Sequence, residues 1–233
     1  MKKGKFMNVV PVLVLAVSVL VLGMVGTAEA YNSKCGGFYE RPLFTSCINS
    51  RASTPFWVKY RHNKGDIKPD RIALNIRIHH DLGANIMAFS QPDEIYFKDT
   101  EYVRYAMMPV MPPNTTREVA KTLFAYTNIA TVAPNVESKT LPAFEKFEAK
   151  LASEHGYIDV FTGTFFQRDR EPDSIYNKRL WIPTNLYKLY ILPDGTEHAF
   201  FFPNSINSYF SSVEACRIPP EALRKMTGFQ FND

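Results

Sequence analysis

One long helical pattern, set among short alternating segments, constrains the fold of this chain more than any other feature of its sequence. Between Thr140 and His155 the apolar residues recur every three or four positions. They are Leu141, Phe144, Phe147 and Leu151. This spacing places the apolar side chains on one face of a helix. Thr140 can cap the first turn and Gly156 follows as a stop signal, so we predict a helix with one face packed on a core.

Glu148 lies within the apolar face of this predicted helix. It follows Phe144 by four positions and Leu141 by seven, whereas Lys146 and Lys150 fall on the solvated face. A carboxylate in an apolar environment needs compensation. We therefore expect Glu148 to contact a cation, a metal ion or a hydrogen-bond donor.

The segments on either side of the helix predict short strands. Apolar and polar residues alternate in them, or turn residues bound them. The predicted strands are 54–60, 71–78, 157–162, 179–182, 187–192 and 198–202. We expect residues 157–162 to end at Gly163, and short helices over 117–123 and 219–226. The histidines His62 and His198 are interpreted as surface or turn residues. Because no internal repeat is present, the pattern predicts one α+β domain over residues 31–233.

The first 30 residues have the features of a secretory signal peptide. Three lysines within residues 2–5 precede an uncharged apolar run over 9–25, and Ala28-Glu29-Ala30 supplies small residues before a cut at Tyr31. An uncleaved membrane anchor is the alternative, since about 18 apolar residues can span a bilayer. Pro11 and the small-residue ending favour cleavage. We therefore expect a secreted protein whose mature chain has no transmembrane segment.

Net charge gives little support to a general polyanion partner. The whole chain has 27 basic and 23 acidic residues, a formal charge of +4. Removing residues 1–30 takes away three lysines and one glutamate, which leaves 24 basic and 22 acidic residues, or +2 over 203 residues. Binding of DNA or RNA must therefore rest on the local placement of charge.

Three cysteines are present in this export context, where disulfides are permitted. Cys35 and Cys47 bracket a short loop, and a bridge between them is the expected pairing. Cys216 is then left over, although it could pair with either of the first two instead. No Cys/His spacing indicates a zinc site.

Seven short segments in chain order form a pattern that spans nearly all of the mature chain. They are residues 55–60, 127–129, 144–148, 159–163, 182–188, 199–204 and 218–229. In this order they resemble the DNA/RNA non-specific endonucleases, the ββα-metal nuclease family. The resemblance implies an α+β, ββα-metal nuclease-like domain with a central antiparallel sheet flanked by helices. It also implies a DNA or RNA substrate and Mg²⁺ or a similar divalent metal.

The family places its chemistry on three positions. An Asp-Arg-Gly-His motif supplies the general base, because imidazole can accept a proton from water near neutral pH. An Asn on the following helix binds the magnesium ion, and a helix Glu helps to hold the hydrated ion. Counting from the shared segments places the motif on Val103-Arg104-Tyr105-Ala106 and the Asn position on Thr140, while Asn128 and Glu148 are retained.

The segments that would build the scaffold thus match the family, but the two residues that carry its chemistry are not matched. Ala106 stands where the base His is expected, and the neutral hydroxyl of Thr140 is a poorer magnesium ligand. We expect a secreted, catalytically impaired nuclease that binds nucleic acid, with a divalent metal if active and none if the site is dead. One alternative is an active nuclease with a rearranged site, in which His79 or His80 is the base. The other is a non-catalytic protein-interaction module with an unknown partner.

The remaining site residues have two interpretations each. Glu148 is either an outer-shell metal residue or, as we favour, a buried partner of Arg104 or another cation. Asn128 either contacts a ligand or, as we expect, hydrogen-bonds the backbone of the site. Basic and aromatic residues that could grip nucleic acid without cutting it are Arg104, Tyr105, Lys178 and Arg179.

Overall fold

Seven antiparallel strands form the central sheet of the protein. A computed structural model describes residues 34–70, 97, 100–167, 171–175, 180–207, 210 and 212–231. The strands in these residues are β1 (Gly37–Glu40), β2 (Phe44–Asn49), β3 (Thr54–Asn63), β4 (Val103–Ala106), β5 (Ile129–Val132), β6 (Tyr157–Phe165), β7 (Ser174–Ile175), β8 (Leu180–Trp181), β9 (Asn185–Ile191), β10 (Glu197–Pro203) and β11 (Arg217–Ile218). The central sheet has the order β1-β2-β3-β6-β9-β10-β11, and β4–β5 and β7–β8 are separate two-stranded pairs.

Three α-helices accompany the strands in the described residues. They are α1 (Arg117–Thr122), α2 (Leu141–His155) and α3 (Pro220–Thr227). Strands and helices are mixed along the chain and the central sheet is antiparallel, which confirms the predicted α+β class. None of the helices among the described residues is long and apolar enough to cross a membrane.

The two faces of the central sheet are covered by different elements. Side chains alternate along β3, so Val58 and Tyr60 belong to the core that includes Phe144 of α2, whereas Trp57 belongs to a second core with Leu223 of α3. This alternation gives the sheet an α2 side and an α3 side. The ββα unit described below lies on the α2 side.

The strand that was expected to end at Gly163 continues through it to Phe165. Gly163 pairs with Trp57 on β3 and with Tyr187 on β9. A Cβ at position 163 would lie 1.9 Å from the ring of Tyr187, so a glycine is needed there by close packing rather than by a turn.

Helix α2 begins at Leu141 with Thr140 at the N-cap position, as the sequence predicts. The Thr140 side chain makes no capping hydrogen bond, because residues Val136–Thr140 already form a π-helical turn that runs into α2. The Thr140 hydroxyl instead accepts a hydrogen bond from the backbone N–H of Phe210 at 3.0 Å. At the other end, Gly156 has φ of +88° and ends the helix as predicted.

Some predictions fall outside the described residues. These are the signal peptide over 1–30, the strand over 71–78, the histidines His79 and His80, and the basic residues Lys178 and Arg179.

A disulfide joins Cys35 to Cys47 and fastens the segment before β1 to β2. Cys216 is a buried free thiol, and burial raises its pKa to about 11. It therefore stays protonated and unreactive near neutral pH.

Replacing Cys35 and Cys47 together by serine is expected to lower the free energy of unfolding by about 2–3 kcal/mol, because the bridge closes a short loop that the unfolded chain would otherwise open. Thermal or denaturant unfolding measures the loss. Reductant should lower the stability of the natural chain to the same level and leave the double variant unchanged. Reductant sensitivity that disappears in Cys216→Ala instead would contradict the pairing.

Candidate functional site: a ββα unit with a buried carboxylate

Strands β4 and β5 and helix α2 form a strand–strand–helix unit on one side of the central sheet. The two strands are antiparallel, with Arg104 opposite Thr131 and Ala106 opposite Ile129. Helix α2 follows β5 after the π-helical turn. The unit thus brings Arg104, Ala106, Thr140 and Glu148 into one strand–helix assembly.

Alternation along β4 sends its side chains in two directions. Tyr105 is only 8% exposed, and its hydroxyl lies 3.3 Å from Oε1 of Glu145 on α2. Burial, followed by the charge of Glu145, raises the pKa of Tyr105 well above its usual value, so this phenol is neutral. Its ring has little surface left for stacking on a base. Arg104 and Ala106 are half-buried, and the Arg104 guanidinium lies 4.4 Å from the centre of the Phe97 ring.

Asn128 holds the chain that follows β4. Its Oδ1 accepts a hydrogen bond from the N–H of Met108 at 2.8 Å. Its Nδ2 donates to the carbonyls of Met108 at 3.1 Å and Leu123 at 2.8 Å. Asn128 is fully buried, so its amide positions backbone and contacts no solvent.

Asn204 attaches the ββα unit to the central sheet. Its Oδ1 accepts from the N–H of Ala133 at 2.7 Å, and its Nδ2 donates to the carbonyls of Thr131 at 3.1 Å and Pro183 at 3.0 Å. These bonds fix β5 relative to the strand ends of β9 and β10. Asn204 ended one of the family-like segments in the sequence, but its residue type alone did not indicate this role.

The Glu148 carboxylate is fully buried between α2 and the central sheet. Its Oε1 accepts hydrogen bonds from the Lys188 ammonium and from the Tyr190 hydroxyl, the latter at 3.1 Å. Its Oε2 accepts from the Tyr60 hydroxyl at 2.8 Å, and Nδ1 of His62 lies 3.6 Å away. Four groups from β3 and β9 therefore surround the two oxygens. Three of these groups donate hydrogen bonds to the carboxylate, and at 3.6 Å the His62 ring lies beyond hydrogen-bond distance.

The partner of Glu148 is Lys188 and not Arg104. Both side chains are inaccessible to solvent. Burial alone would raise the pKa of Glu148, but the Lys188 ammonium outweighs it, and the close approach of His62 and the hydroxyl of Tyr60 act in the same direction. Together they bring the pKa of Glu148 to about 2, so it is ionised at every physiological pH.

The two tyrosines beside Glu148 stay neutral. Burial, and then the charge of Glu148, raises the pKa of both Tyr60 and Tyr190 well above the usual value for tyrosine. A neutral phenol can donate its proton to the carboxylate, whereas a phenolate would repel it. The cluster is therefore a carboxylate held by one ammonium and two phenol donors.

His62 is buried, which corrects its interpretation as a surface or turn residue. Strand β3 extends to Asn63, and alternation places His62 on the same face as Tyr60. On β9 the same period of two places Lys188 with Tyr190. The alternation of side chains along β3 and β9 could have indicated these two pairs in the sequence. No sequence pattern indicated that the β3 pair and the β9 pair meet around Glu148.

The described residues do not fit a divalent-metal site. Thr140 already uses its hydroxyl oxygen to accept from Phe210, and Ala106 has no donor atom. The oxygens of Glu148 are occupied by an ammonium and neutral donors. Among the described ranges, no group of three or more His, Cys, Asp or Glu side chains is placed to hold an ion.

The comparisons with known proteins agree with this architecture. The family model for DNA/RNA non-specific endonucleases matches residues 27–233, so the chain belongs to that family. A chain of the crystal structure of the EndoG/EndoGI complex, described as the mechanism of EndoG inhibition, is similar to it in fold. That similarity has a TM-score of 0.70 at 16% sequence identity, and it covers 83% of this chain and 84% of the other. No curated protein matches the chain.

The protein is therefore an endonuclease-type member of its family, with the mixed α+β fold of a ββα-metal nuclease. Divalent-metal dependence is general in the family.

Replacing Lys188 by methionine is expected to lower the free energy of unfolding by about 3–5 kcal/mol, because it leaves the Glu148 charge buried without a counter-ion. Adding Glu148→Gln to this variant should recover most of the loss, since the charge that needed compensation is gone. Chemical denaturation of both variants measures the difference. Lys150→Met is the matched control: Lys150 lies 3.8 Å from Glu154 in an exposed pair, so its loss should cost less than about 1 kcal/mol.

The ion pair of Glu148 and Lys188 predicts that the free energy of unfolding depends on pH. The pKa of Glu148 falls from 4.5 to about 2 on folding, so its contribution is fully present above pH 4.5 and is lost as the pH falls towards 2. The loss amounts to roughly 3 kcal/mol at 1.36 kcal/mol per pH unit. The Glu148→Gln/Lys188→Met variant should lack this component when unfolding is followed across that range. Parallel pH profiles for the two proteins would contradict the assignment.

Proposed function

We propose that this chain is an exported nuclease-like protein that binds nucleic acid on the family scaffold but does not hydrolyse it by the family mechanism. The observation that carries the proposal is Ala106. The sequence resemblance aligns Ala106, which pairs with Ile129 on β5, with the general base of the family, and a methyl group cannot accept a proton from an attacking water.

The metal position supports the same proposal. The sequence resemblance aligns Thr140 with the amide ligand of the family, and the Thr140 hydroxyl accepts a hydrogen bond from the backbone N–H of Phe210. The charge of Glu148 is compensated by Lys188 within the protein. Magnesium prefers oxygen ligands that are free to orient towards it. Without a base or a direct ligand, the ββα unit retains the framework of the family site and lacks its chemistry.

Export is supported by two independent features. Residues 1–30 have the composition of a signal peptide, and Cys35 and Cys47 form a disulfide. The mature chain in this proposal is residues 31–233, a single nuclease-like domain.

Nucleic-acid binding is supported by family membership and by local charge. Arg104 is half-buried on β4, on the opposite side of that strand from the buried Tyr105. Because Arg104 is only half-buried, its guanidinium can contact a phosphate group. Lys178 and Arg179 are the further candidates, and the small net charge makes such local contacts decisive.

The mature protein is expected to leave plasmid DNA and RNA intact in magnesium or manganese, because the base and the direct ligand are missing. Gel electrophoresis over a time course measures cleavage. Cleavage that Glu148→Ala or His80→Ala abolishes would overturn the proposal and favour a rearranged active site.

A combined Ala106→His and Thr140→Asn variant tests the placement of the two positions. It restores an imidazole and an amide oxygen to the scaffold, so metal-dependent cleavage above the background of the natural chain is the expected result. The Ala106→Gln/Thr140→Asn variant is the matched control, because glutamine cannot act as a general base near neutral pH. Equal cleavage by both variants would contradict the alignment.

Binding is expected to weaken with salt, and Arg104→Gln should reduce the slope of log affinity against log salt by about 1, because one phosphate contact is lost. A mobility-shift titration with DNA and RNA at several salt concentrations measures this slope. Lys64→Gln, at an exposed turn position, is the charge-matched control. The absence of binding even at low salt would contradict nucleic-acid binding and favour a protein-interaction role.

A further inference from the structure

A cleft of about 480 Å³ opens on the α3 side of the central sheet. Its walls come from the end of β2, the start of β3, the end of β6 and the residues that close α3. None of its lining residues belongs to β4, β5 or α2, so the cleft is separate from the ββα unit.

The walls of this cleft are aromatic. Its four phenylalanines are Phe56, Phe165, Phe166 and Phe229. Neighbouring rings brace them: the centre of the Phe56 ring lies 5.5 Å from that of Phe229, Phe165 lies 5.2 Å from Phe201, and Phe166 lies 5.8 Å from Trp181. Three of the four are half-exposed, whereas Phe229 is buried. The rings are therefore fixed by packing and present surface that a planar ligand could cover.

The charge of the cleft has one sign. Among the residues that the structure describes, Lys34 and Arg51 line it and no aspartate or glutamate does. The Lys34 ammonium donates to the Gly228 carbonyl at 2.6 Å and lies 5.4 Å from the centre of the Phe229 ring, which fixes it at the wall. An ammonium has three donors, so it can bind a further acceptor. Arg51 is exposed at the same cleft.

Aromatic walls with nearby cations suit a planar ring that has an anionic substituent. Stacking on aromatic side chains beside basic residues is how proteins hold the bases and phosphates of unpaired nucleotides. The volume lies within the range of small-ligand sites. A simple fatty anion would match the charge but would make no use of fixed aromatic faces.

We propose that this cleft binds a nucleotide, with the base against the phenylalanines and the phosphate at Lys34 and Arg51. The nucleotide is either free or part of a single strand, since both offer the same chemistry. The proposal does not depend on nucleic-acid binding or hydrolysis at the ββα unit.

The tryptophans of the chain provide a direct signal for this cleft. The sequence contains two, Trp57 and Trp181. Trp57 lies 6.3 Å from Phe229 and Trp181 lies 5.8 Å from Phe166, between ring centres. Each therefore contacts a wall of the cleft, and a base bound there is expected to change their fluorescence.

The test is a fluorescence titration of the mature protein with adenosine 5′-monophosphate, adenosine and decanoate. The monophosphate should give a saturable change, with adenosine at least about tenfold weaker because it lacks the phosphate. An oligodeoxyadenylate separates the two sources: tighter binding per site than the monophosphate indicates a single strand, and equal or weaker binding indicates the free nucleotide. No saturable change up to about 10 mM monophosphate, or equal binding by decanoate, would overturn the proposal.

Two variants assign the effect to the cleft. Arg51→Ala should weaken the monophosphate about tenfold and leave adenosine unchanged. Phe166→Leu keeps the apolar contact but removes the aromatic face, so it should weaken both ligands. Lys225→Ala, which removes an exposed charge of α3 outside the cleft, is the control. Monophosphate binding that is unchanged in Arg51→Ala but lost in Arg104→Gln would place the site in the ββα unit and refute the inference.

Discussion

The buried ion pair of Glu148 and Lys188 is the interaction on which the α2 side of the structure depends. It joins the middle of helix α2 to strand β9, while Tyr60 extends the contact to β3. A lone buried carboxylate would cost several kcal/mol, and the Lys188 ammonium with the hydroxyls of Tyr60 and Tyr190 compensates for that cost. The position and rotation of α2 on the sheet are therefore set by a polar contact within an otherwise apolar interface. Because α2 is the helix of the ββα unit, this contact also positions that unit on the sheet.

This arrangement separates the framework of the site from its chemistry. The framework consists of buried contacts: Asn128 holds the chain after β4, Asn204 attaches β5, and Glu148 anchors α2. The proposal assigns the base and the metal ligand of the family to two further positions, Ala106 and Thr140. Neither position takes part in the polar contacts of Glu148. Under that proposal the nuclease fold does not need the base or the ligand for its stability, since the buried contacts that hold the framework come from other side chains.

The sequence predicted what local periodicity encodes and missed what distant strands bring together. The burial of Glu148 followed from its spacing to Leu141 and Phe144, because helical geometry is local. Its partner did not, since Lys188 lies 40 residues further on and its strand carries no mark of the contact. The helix start at Leu141 was predicted, but the capping bond from Thr140 was not formed because a π-helical turn precedes the helix. The strand end was wrong because Gly163 is required by packing against the Tyr187 ring.

The alternation of side chains across the central sheet makes its two sides energetically separable. Trp57 and Phe161 face α3, whereas their neighbours Val58 and Val160 face α2, so adjacent residues of one strand serve different cores. Changes at sites without shared partners add almost independently in stability. Ala106 and Thr140 lie on the α2 side, and the phenylalanines of the cleft pack on the α3 side. The nucleotide binding proposed for the cleft is therefore independent of whether the ββα unit hydrolyses nucleic acid.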